Sequence, residues 1–435
     1  MAFDHEISGL KHALVVAYHY PPEASSSGVL RTLKYTRYLG AYGWRATVIT
    51  LRADAYEVVD EGLSDQIPAD VRVVRTSYVN TKRHLAVRGV YPALLALPDT
   101  WIGWLPWAVA AGRRVLREDP VDVIYSTSPH ATSHLVALRL ASASRLPWVT
   151  DFRDPWIEDP PEPGAPNGLF YRHMNRYLER RVVEACTRIV TSTTGLGDSL
   201  RERYANLPAG KITAILNGYD EADFSGLPPA PLARSDFFTI THAGSINADF
   251  RDPRPLFSAM RAAAQDGALD IDRVRVRFIG GGGFADSPAI KEALRQTGLA
   301  ERVEFLPRLP YEDTLQQLGR ADVLLLLQAS EDTITLVPAK LYEYLRTQRP
   351  VLALVQPGAS AEVLATIGGG WAVDPRDANA LTRAIGVAFA AWRSGTLQAH
   401  CADLEILRRF DRKVLTGQLA AVFDSVLSSG SRVEG

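Results

Sequence analysis

Short runs of β-branched and apolar residues alternate with amphipathic helical stretches, and this pattern runs through the chain twice. Such alternation is typical of βα units with parallel strands. In the first half the predicted strands are 14–17, 46–51, 71–75, 121–126, 148–151, 189–192 and 214–216. In the second half they are 237–243, 274–280, 303–306, 323–327, 351–354 and 371–373. The sequence therefore predicts an α/β chain with two doubly wound, Rossmann-like domains.

A Pro-rich segment, 227–232, interrupts this alternation and indicates a linker. We expect an N-terminal, acceptor-binding domain over 1–224, the linker over 225–235 and a C-terminal, donor-binding domain over 236–410. A helix and tail follow over 411–435, and with no strand behind it this helix is expected to pack back across either domain. Ligands bind outside the carboxyl ends of parallel strands, so we expect a site in a cleft between the two domains.

Composition narrows the class of partner. The 48 Lys and Arg residues and 49 Asp and Glu residues leave a net charge of −1, which argues against nucleic acid and favours a small molecule. Cys186 and Cys401 are the only cysteines, so a disulfide framework is excluded and a reducing cytoplasm fits. The first residues lack the basic charge of a signal peptide, and the apolar stretch 85–112 is interrupted by charges and prolines. We expect a cytoplasmic protein, soluble or peripheral to the inner face of the membrane.

The segment Pro338-Ala-Lys-Leu-Tyr-Glu-Tyr-Leu345 follows a polar loop after an apolar strand. Pro338 is typical of the entry to a helix, whose unpaired N–H groups attract an anion, and Lys340 adds a full positive charge. Glu343 lies three residues later on the same face, where it could accept hydrogen bonds from ribose hydroxyls. The alternative is an i, i+3 surface ion pair with no ligand.

This segment, with Gln348-Arg-Pro-Val-Leu352, resembles the donor site of retaining GT-B glycosyltransferases of the group-1, or family-four, class. Ala243-Gly-Ser245 and the following Arg251-Asp-Pro253 resemble that class's phosphate-binding loop. The resemblance implies that Arg251 and Lys340 hold the donor diphosphate, beside Gly244 and Ser245, and that Glu343 holds the ribose. His19-Tyr-Pro-Pro22 with Ser26-Ser-Gly28 resembles the loop whose small residues approach the donor phosphates, which implies a donor role for Gly28.

Further segments agree in order, with one departure. Gly280 and Gly281 permit close approach of the backbone to a ligand, and Leu306 starts a segment that resembles the loop holding the nucleotide base. Many family members carry a second glutamate eight residues before Glu343, where this chain has Thr335. In the family that glutamate and its loop contact the donor sugar, so the resemblance leaves the identity of the sugar open. Glu331 and Asp332 are nearby acids that could replace the missing glutamate.

Four polar residues of the first half are candidates for the acceptor side or for catalysis. His130 ends a predicted strand, and the family resemblance implies contact with the transferred sugar; a helix-start histidine without a ligand is the alternative. Asp151 and Asp154 also follow a strand, and either could orient or deprotonate an acceptor hydroxyl. The alternative for both is turn chemistry before Pro155. His19 is expected to contact the acceptor.

These features together predict transfer of a sugar from a nucleoside diphosphate donor to a hydroxyl, with retention implied by the resemblance. The acceptor would be a saccharide, a lipid-linked molecule or a small natural product, with bacterial polysaccharide, lipopolysaccharide or glycoconjugate assembly as the setting. The histidines show no metal-ligand spacing, and we expect neither a metal nor another cofactor. The alternatives are a nucleotide-sugar epimerase, a sugar phosphorylase, or a catalytically impaired relative that only binds the nucleotide.

Overall fold

The computed structural model describes residues 9–26, 28–88, 90–91, 93–157, 168–226, 235–329 and 333–430. The chain divides into two compact units, the first formed by Met1–Asn217 with Arg412–Gly435 and the second by Gly218–Asp411. Each unit contains one parallel β-sheet with helices around it. The prediction of two doubly wound α/β domains is confirmed.

The first unit is built on a seven-stranded sheet with the order β3-β2-β1-β4-β5-β6-β7. Its strands are β1 Lys11–Ala17, β2 Trp44–Leu51, β3 Arg72–Thr76, β4 Val123–Thr127, β5 Trp148–Phe152, β6 Arg188–Thr191 and β7 Ile212–Ala214. Its first six α-helices are α1 Gly28–Tyr38, α2 Glu61–Ser64, α3 Leu105–Glu118, α4 Ala131–Ser144, α5 Leu169–Ala185 and α6 Thr194–Arg203.

The second unit is built on a six-stranded sheet with the order β10-β9-β8-β11-β12-β13. Its strands are β8 Phe238–Ala243, β9 Val274–Ile279, β10 Val303–Leu306, β11 Val323–Gln328, β12 Val351–Val355 and β13 Gly370–Val373. Its helices are α7 Arg254–Gln265, α8 Pro288–Thr297, α9 Tyr311–Gly319, α10 Ala339–Arg346, α11 Ala359–Ile367, α12 Ala378–Ser394 and α13 Leu404–Leu407.

Both sheets are covered on two faces, which is why their central strands are continuous apolar runs. In β11, Val323 and Leu325 pack into one hydrophobic core while Leu324 and Leu326 pack into the core on the opposite face. Successive side chains of a strand point to opposite sides, so one apolar run supplies two cores.

The strand order reverses direction beside the first strand of each sheet, between β1 and β4 and between β8 and β11. At such a switch point the connections leave in opposite directions and open a crevice at the carboxyl ends of the strands. The loops after β1, β4, β8 and β11 are therefore the places where each unit can hold a ligand.

The last helix, α14 Arg412–Gly430, belongs to the first unit although it follows the second unit in sequence. Leu415, Leu419 and Phe423 lie four residues apart along one face and pack in the same core as Val15 and Tyr125. The chain thus returns to the first unit, and the choice between the two domains that the sequence left open is resolved.

The division between the units differs from the expected boundaries. It lies at 217/218 and 411/412, so 218–224 belongs to the second unit rather than to the N-terminal domain. The reason lies in the contacts of this segment, since Tyr219 N donates to Phe410 O at 3.1 Å and Arg346 forms an ion pair with Glu221. The Pro-rich segment 227–232 lies outside the described residues.

Candidate functional site

In the second unit, α10 is attached directly to the loop that follows β8. Lys340 Nζ donates to the carbonyl oxygen of Ala243 at 2.8 Å, and the hydroxyl of Tyr344 accepts from Ala243 N at 2.8 Å. Gly244 comes next with a φ of 120°, and a Cβ at this position would lie 2.6 Å from Lys340 Nζ. The backbone conformation therefore favours glycine, and any side chain here would displace the lysine ammonium group.

Lys340 does not form a surface ion pair with Glu343, which was the alternative to an anion-binding role. Burial and the nearby positive charge of Arg251 lower the pKa of Lys340 to about 7, while the charge of Glu343 acts in the opposite direction. A half-desolvated ammonium group without a carboxylate in hydrogen-bond contact is suited to an anion from outside the protein.

Arg251 is brought to the same loop by a turn built around Asn247. The side-chain oxygen of Asn247 accepts from the backbone N–H groups of Asp249, Phe250 and Arg251 at 3.2, 2.9 and 3.0 Å. Arg251 Nη1 then donates to Ser245 Oγ at 3.0 Å, and burial lowers the pKa of the arginine. Arg251, Lys340, Gly244 and Ser245 are thus brought together as the sequence predicted.

The helix α10 begins after Pro338 without a side-chain cap. Its first N–H groups are therefore not satisfied by a capping side chain, and its positive dipole end adds to the charges of the two cations. This combination of helix start, lysine and arginine is suited to a diphosphate.

Glu343, on the next turn of α10, is only 8% exposed and has a different set of partners. Its Oε1 accepts from the hydroxyl of Tyr311 at 3.1 Å, and the same hydroxyl lies 3.3 Å from Asp223 Oδ2. Burial and the two carboxylates raise the pKa of Tyr311 well above its usual value, so the phenol keeps its proton and holds Glu343 in place.

The remaining donor-side candidates lie at neighbouring strand ends of the same sheet. Gly244 N donates to Ile279 O at 2.8 Å and Gly280 N to Leu306 O at 3.0 Å. Gly280 has a φ of 75°, and Gly281 accepts from the N–H of Ile246 at 3.0 Å. Gly280, Gly281 and Leu306 therefore line the carboxyl edge next to the loop of Lys340 and Arg251.

Thr335 lies in the loop between β11 and α10. The side chain of Gln328, at the end of β11, is hydrogen-bonded to this loop. Gln328 Nε2 donates to Thr333 O at 2.9 Å and to Leu336 O at 3.0 Å, and Ser360 Oγ donates to Gln328 Oε1 at 2.7 Å. Sequence reasoning missed this glutamine, although a polar residue that closes an apolar strand was a usable signal. Glu331 and Asp332 lie outside the described residues.

His242 is a further residue that sequence reasoning did not connect with the site. It is fully buried one residue before Ala243, and its Nδ1 donates to Leu325 O at 2.9 Å. Burial and the charge of Lys340 lower the pKa of His242 to about 3, so the ring is neutral and Nε2 is an acceptor. Nε2 has no partner among the described residues.

In the first unit, His19 and His130 lie close together where β1 and β4 end. The two imidazole rings stack with centroids 6.1 Å apart, and the ring of Tyr18 meets His130 edge-on at 4.2 Å. Burial, with the positive charges nearby, lowers the pKa of His130 to about 3, so its imidazole is neutral at physiological pH. The position of His130 at the carboxyl edge agrees with the sequence prediction, and the structure adds that His19 lies beside it.

His19 has a partner that sequence reasoning missed. Its Nδ1 lies 2.5 Å from Oε2 of Glu23, a carboxylate that also accepts from Ser25 N at 2.6 Å. Burial acts to raise the pKa of Glu23, but the hydrogen bonds from His19 and Ser25 outweigh it and the net pKa is lowered. Glu23 therefore stays ionised, fixes the proton of His19 on Nδ1 and leaves Nε2 as an acceptor.

The catalytic role expected for Asp151 does not agree with its surroundings. Arg31 Nε and Nη2 each donate to its carboxylate at 2.9 Å, and the hydroxyls of Tyr125 and Thr127 donate at 2.6 and 3.1 Å. Its side chain is 0% exposed. A base must reach the proton it removes, so we assign Asp151 to the core of the first unit. Asp154 is partly exposed and remains a candidate for the acceptor side.

Two family models match the chain in this order. Residues 28–218 match a glycosyl transferase 4-like domain, and residues 238–390 match a domain described as glycosyl transferases group 1. No curated protein matches the chain in sequence.

Solved structures show the same fold. Sucrose-phosphate synthase from Thermosynechococcus elongatus is 16% identical with a TM-score of 0.64, over 96% of this chain and 100% of that one. HepE from Anabaena, solved with UDP and glucose, is 15% identical with a TM-score of 0.66, over 95% and 100%. The lipopolysaccharide outer core galactosyltransferase WaaB is 12% identical with a TM-score of 0.58, over 95% and 99%.

The likeness to these structures shows the fold, and the two domain models show the family. The chain belongs to the group-1 glycosyltransferases, which have the GT-B fold and depend on a nucleotide sugar.

Proposed function

We propose that this protein transfers a hexose from a uridine diphosphate sugar to a hydroxyl of a saccharide or lipid-linked acceptor, with retention of the anomeric configuration. The observation that carries the proposal is the convergence of Lys340, Arg251 and the uncapped start of α10 on Gly244 and Ser245. The second unit would bind the donor, and the first unit would bind the acceptor.

The chemistry needs stabilisation of a leaving group. The bond between the anomeric carbon and the β-phosphate oxygen breaks, and its electron pair stays on the diphosphate. Lys340, Arg251 and the dipole of α10 are positioned to stabilise this growing negative charge. The acceptor oxygen bonds to the anomeric carbon, and its proton passes to the released diphosphate oxygen. This scheme uses no carboxylate base. That agrees with the Asp151 carboxylate, whose oxygens already accept hydrogen bonds from Arg31.

Two features support a uridine donor and a ribose contact. HepE has been solved with UDP and with UDP-glucose, and its fold matches this chain over nearly its full length. Glu343 lies one helical turn beyond Lys340 and is held by Tyr311, where a carboxylate can accept from ribose hydroxyls.

We further propose that the positive groups of the protein replace a metal ion, so that a chelator leaves the rate unchanged.

An exposed apolar surface on the first unit supports a membrane-bound acceptor. Seven large apolar side chains are 44–88% exposed around the start of α5 and the segment before α3: Leu85, Val87, Val90, Leu94, Leu95, Leu169 and Phe170. The hydroxyl of Tyr171 donates to Pro98 O at 2.7 Å and holds the two segments together. Arg83, Arg88 and Arg176 are exposed nearby, a combination typical of contact with an anionic lipid surface.

Such a surface would suit an enzyme that assembles a bacterial polysaccharide or lipopolysaccharide on a lipid carrier. WaaB is named as a galactosyltransferase of the lipopolysaccharide outer core. No helix among the described residues is long and apolar enough to cross a bilayer. We expect the protein to sediment with vesicles that contain anionic lipid, and Leu94→Ser/Phe170→Ser to remain in the supernatant. Equal sedimentation of both proteins would remove the membrane part of the proposal.

Product analysis tests the reaction itself. Purified protein is incubated with UDP-hexoses and an acceptor extract, and the anomeric proton of the product is read by NMR. A product with the donor's anomeric configuration supports the proposal. An inverted product would instead give the role of base to His19, held by Glu23. Conversion of the sugar without an acceptor indicates an epimerase, dependence on inorganic phosphate a phosphorylase, and binding without turnover an impaired relative.

A further inference from the structure

The second unit contains a cavity at the edge of its sheet that lies opposite the site of Lys340 and Arg251. The cavity has a volume of about 280 Å³, and residues that directly precede three strands line it: Arg273 before β9, Asp322 before β11 and Pro350 before β12. These are the amino ends of the strands, whereas the loop that leads to α10 follows the carboxyl end of β11. The six residues of β11 separate the two edges by about 20 Å.

Positive charge dominates the lining of this cavity. Three arginines, Arg273, Arg349 and Arg393, line it together with one carboxylate, that of Asp322. None of the three arginines forms an ion pair within the part of the chain that the structure describes. Asp322 Oδ2 is already engaged, since it accepts from Thr239 N at 2.8 Å. The cavity therefore has an excess of two positive charges and favours an anion over a neutral or cationic ligand.

Arg349 provides a buried charge in the wall of the cavity. It is 4% exposed, and its Nε and Nη2 donate to Gly319 O at 3.1 and 2.8 Å. Its Nη1 donates to Gln348 O at 3.3 Å. Carbonyl oxygens satisfy these N–H groups but carry no full negative charge. A buried cation whose partners are neutral is stabilised by an anion placed beside it.

Trp392 and Arg393, neighbours on α12, add hydrogen-bond donors that have no protein partner. Trp392 is 8% exposed, and the guanidinium of Arg273 lies 4.8 Å from the centre of its ring. A buried indole N–H usually has a hydrogen-bond partner, yet that of Trp392 has none among the described residues. Arg393 is exposed, and no described residue forms a hydrogen bond or an ion pair with its side chain. A ligand with several acceptor oxygens would satisfy both residues.

We propose that this cavity binds a small phosphorylated metabolite, a phosphate monoester no larger than a sugar phosphate. Such an ester carries close to two negative charges at neutral pH and three acceptor oxygens, which match the excess charge and the donors of the cavity. The volume lies near the lower limit of ligand pockets, about 300 Å³, and suits a molecule smaller than a nucleotide sugar. Binding of this ligand does not depend on glycosyl transfer.

Calorimetry with glycerol 3-phosphate and glucose 6-phosphate tests the site, with glycerol and glucose as their neutral counterparts. We expect at least one of the two esters to bind the full-length protein and neither neutral compound to bind with similar affinity. The affinity should be unchanged in Lys340→Ala, because Lys340 lies at the opposite edge of the sheet. Absence of binding by both esters, or loss of binding in Lys340→Ala, would overturn the proposal.

Arg393→Gln locates the bound ester within the molecule. The change removes one positive charge from the cavity, so we expect binding to weaken about tenfold, the effect of one charged hydrogen bond. The matched control is Arg383→Gln, because Arg383 is an exposed arginine of the same helix that does not line the cavity. Equal losses in the two variants, or wild-type affinity in Arg393→Gln, would place the ester elsewhere and contradict the proposal.

Trp392→Phe is a second variant that retains an aromatic ring and removes the indole N–H. We expect it to bind the ester more weakly than the wild type, and thermal unfolding shows whether each variant is folded. If Trp392→Phe does not fold, Arg393→Gln decides, because its exposed side chain contributes no hydrogen bond to the fold. Wild-type affinity in a folded Trp392→Phe variant would also count against the proposal.

Discussion

At the scale of single residues, the protonation of Lys340 links donor binding to pH. Burial and Arg251 hold the pKa of this lysine at about 7 in the free protein. A bound diphosphate favours the charged form and raises that pKa. The lysine binds the anion without taking up a proton below about pH 7, and must take one up above it. Affinity for UDP should therefore fall by up to about tenfold per pH unit from about pH 7 to 9.

Calorimetry at several pH values measures this dependence, and the terminal phosphate of UDP, with a second pKa of about 6, is largely ionised across that range. Lys340→Arg is the matched control, because a guanidinium keeps its proton and should bind UDP without the pH slope. A wild-type affinity that is constant above pH 7 would show that the lysine does not exchange a proton on binding.

The buried ion pair between Asp151 and Arg31 is expected to stabilise the first unit. Its pairing with Arg31 is buried on both sides, with side-chain exposures of 0% and 1%. Asp151→Asn leaves Arg31 as a buried charge with a weakened partner, so we expect a loss of about 3–5 kcal/mol in unfolding free energy. Asp198→Asn breaks an exposed ion pair and should cost less than about 1 kcal/mol. Urea unfolding measures both, and equal small losses would mean that the buried pair contributes little.

At the scale of secondary-structure elements, α14 holds the first unit together from the far end of the sequence. Phe423 is fully buried, and its ring lies 5.1 Å from that of Trp44 and 5.7 Å from that of Tyr125. Phe423→Ala should lower the unfolding free energy of the first unit by about 3–5 kcal/mol. Scanning calorimetry should show a lower transition temperature, with UDP affinity of the folded protein unchanged.

Val414→Ala on the same helix is a suitable control, since that side chain is 44% exposed. Its transition should stay close to that of the wild type. If both variants unfold at the same temperature as the wild type, α14 is not part of the cooperative first unit.

Elements were predictable from the sequence because their signals are local. Each predicted strand overlaps an observed one. An apolar run such as that of β11 indicates a buried strand from six consecutive residues alone. The attachment of α14 was not predictable, because its apolar face fits any core and its partners Tyr125 and Trp44 lie about three hundred and nearly four hundred residues earlier.

The site was predictable to the same extent. Lys340 and Glu343 lie on one helix, so their common face follows from their spacing. The saturation of Asp151 depends on Arg31, which is 120 positions away, and the support of Glu343 depends on Tyr311, which is 32 away. Contacts over such separations are set by tertiary packing, which single-sequence patterns do not contain.

At the scale of the whole molecule, we propose that the second unit binds a nucleoside diphosphate with its phosphates on Lys340 and its ribose on Glu343. In this proposal the two residues hold different chemical halves of one ligand. Fragments of the ligand therefore separate their roles, which a single substrate cannot do.

Calorimetry with UDP, uridine and pyrophosphate on Lys340→Ala and Glu343→Ala tests this proposal, with Arg302→Ala, a partly exposed residue that pairs with the exposed Asp272, as control. Both variants should bind UDP at least about tenfold more weakly than the wild type. Lys340→Ala should lose affinity for pyrophosphate and retain it for uridine, and Glu343→Ala should do the reverse. UDP binding at wild-type strength in both variants would show that neither residue belongs to the donor site.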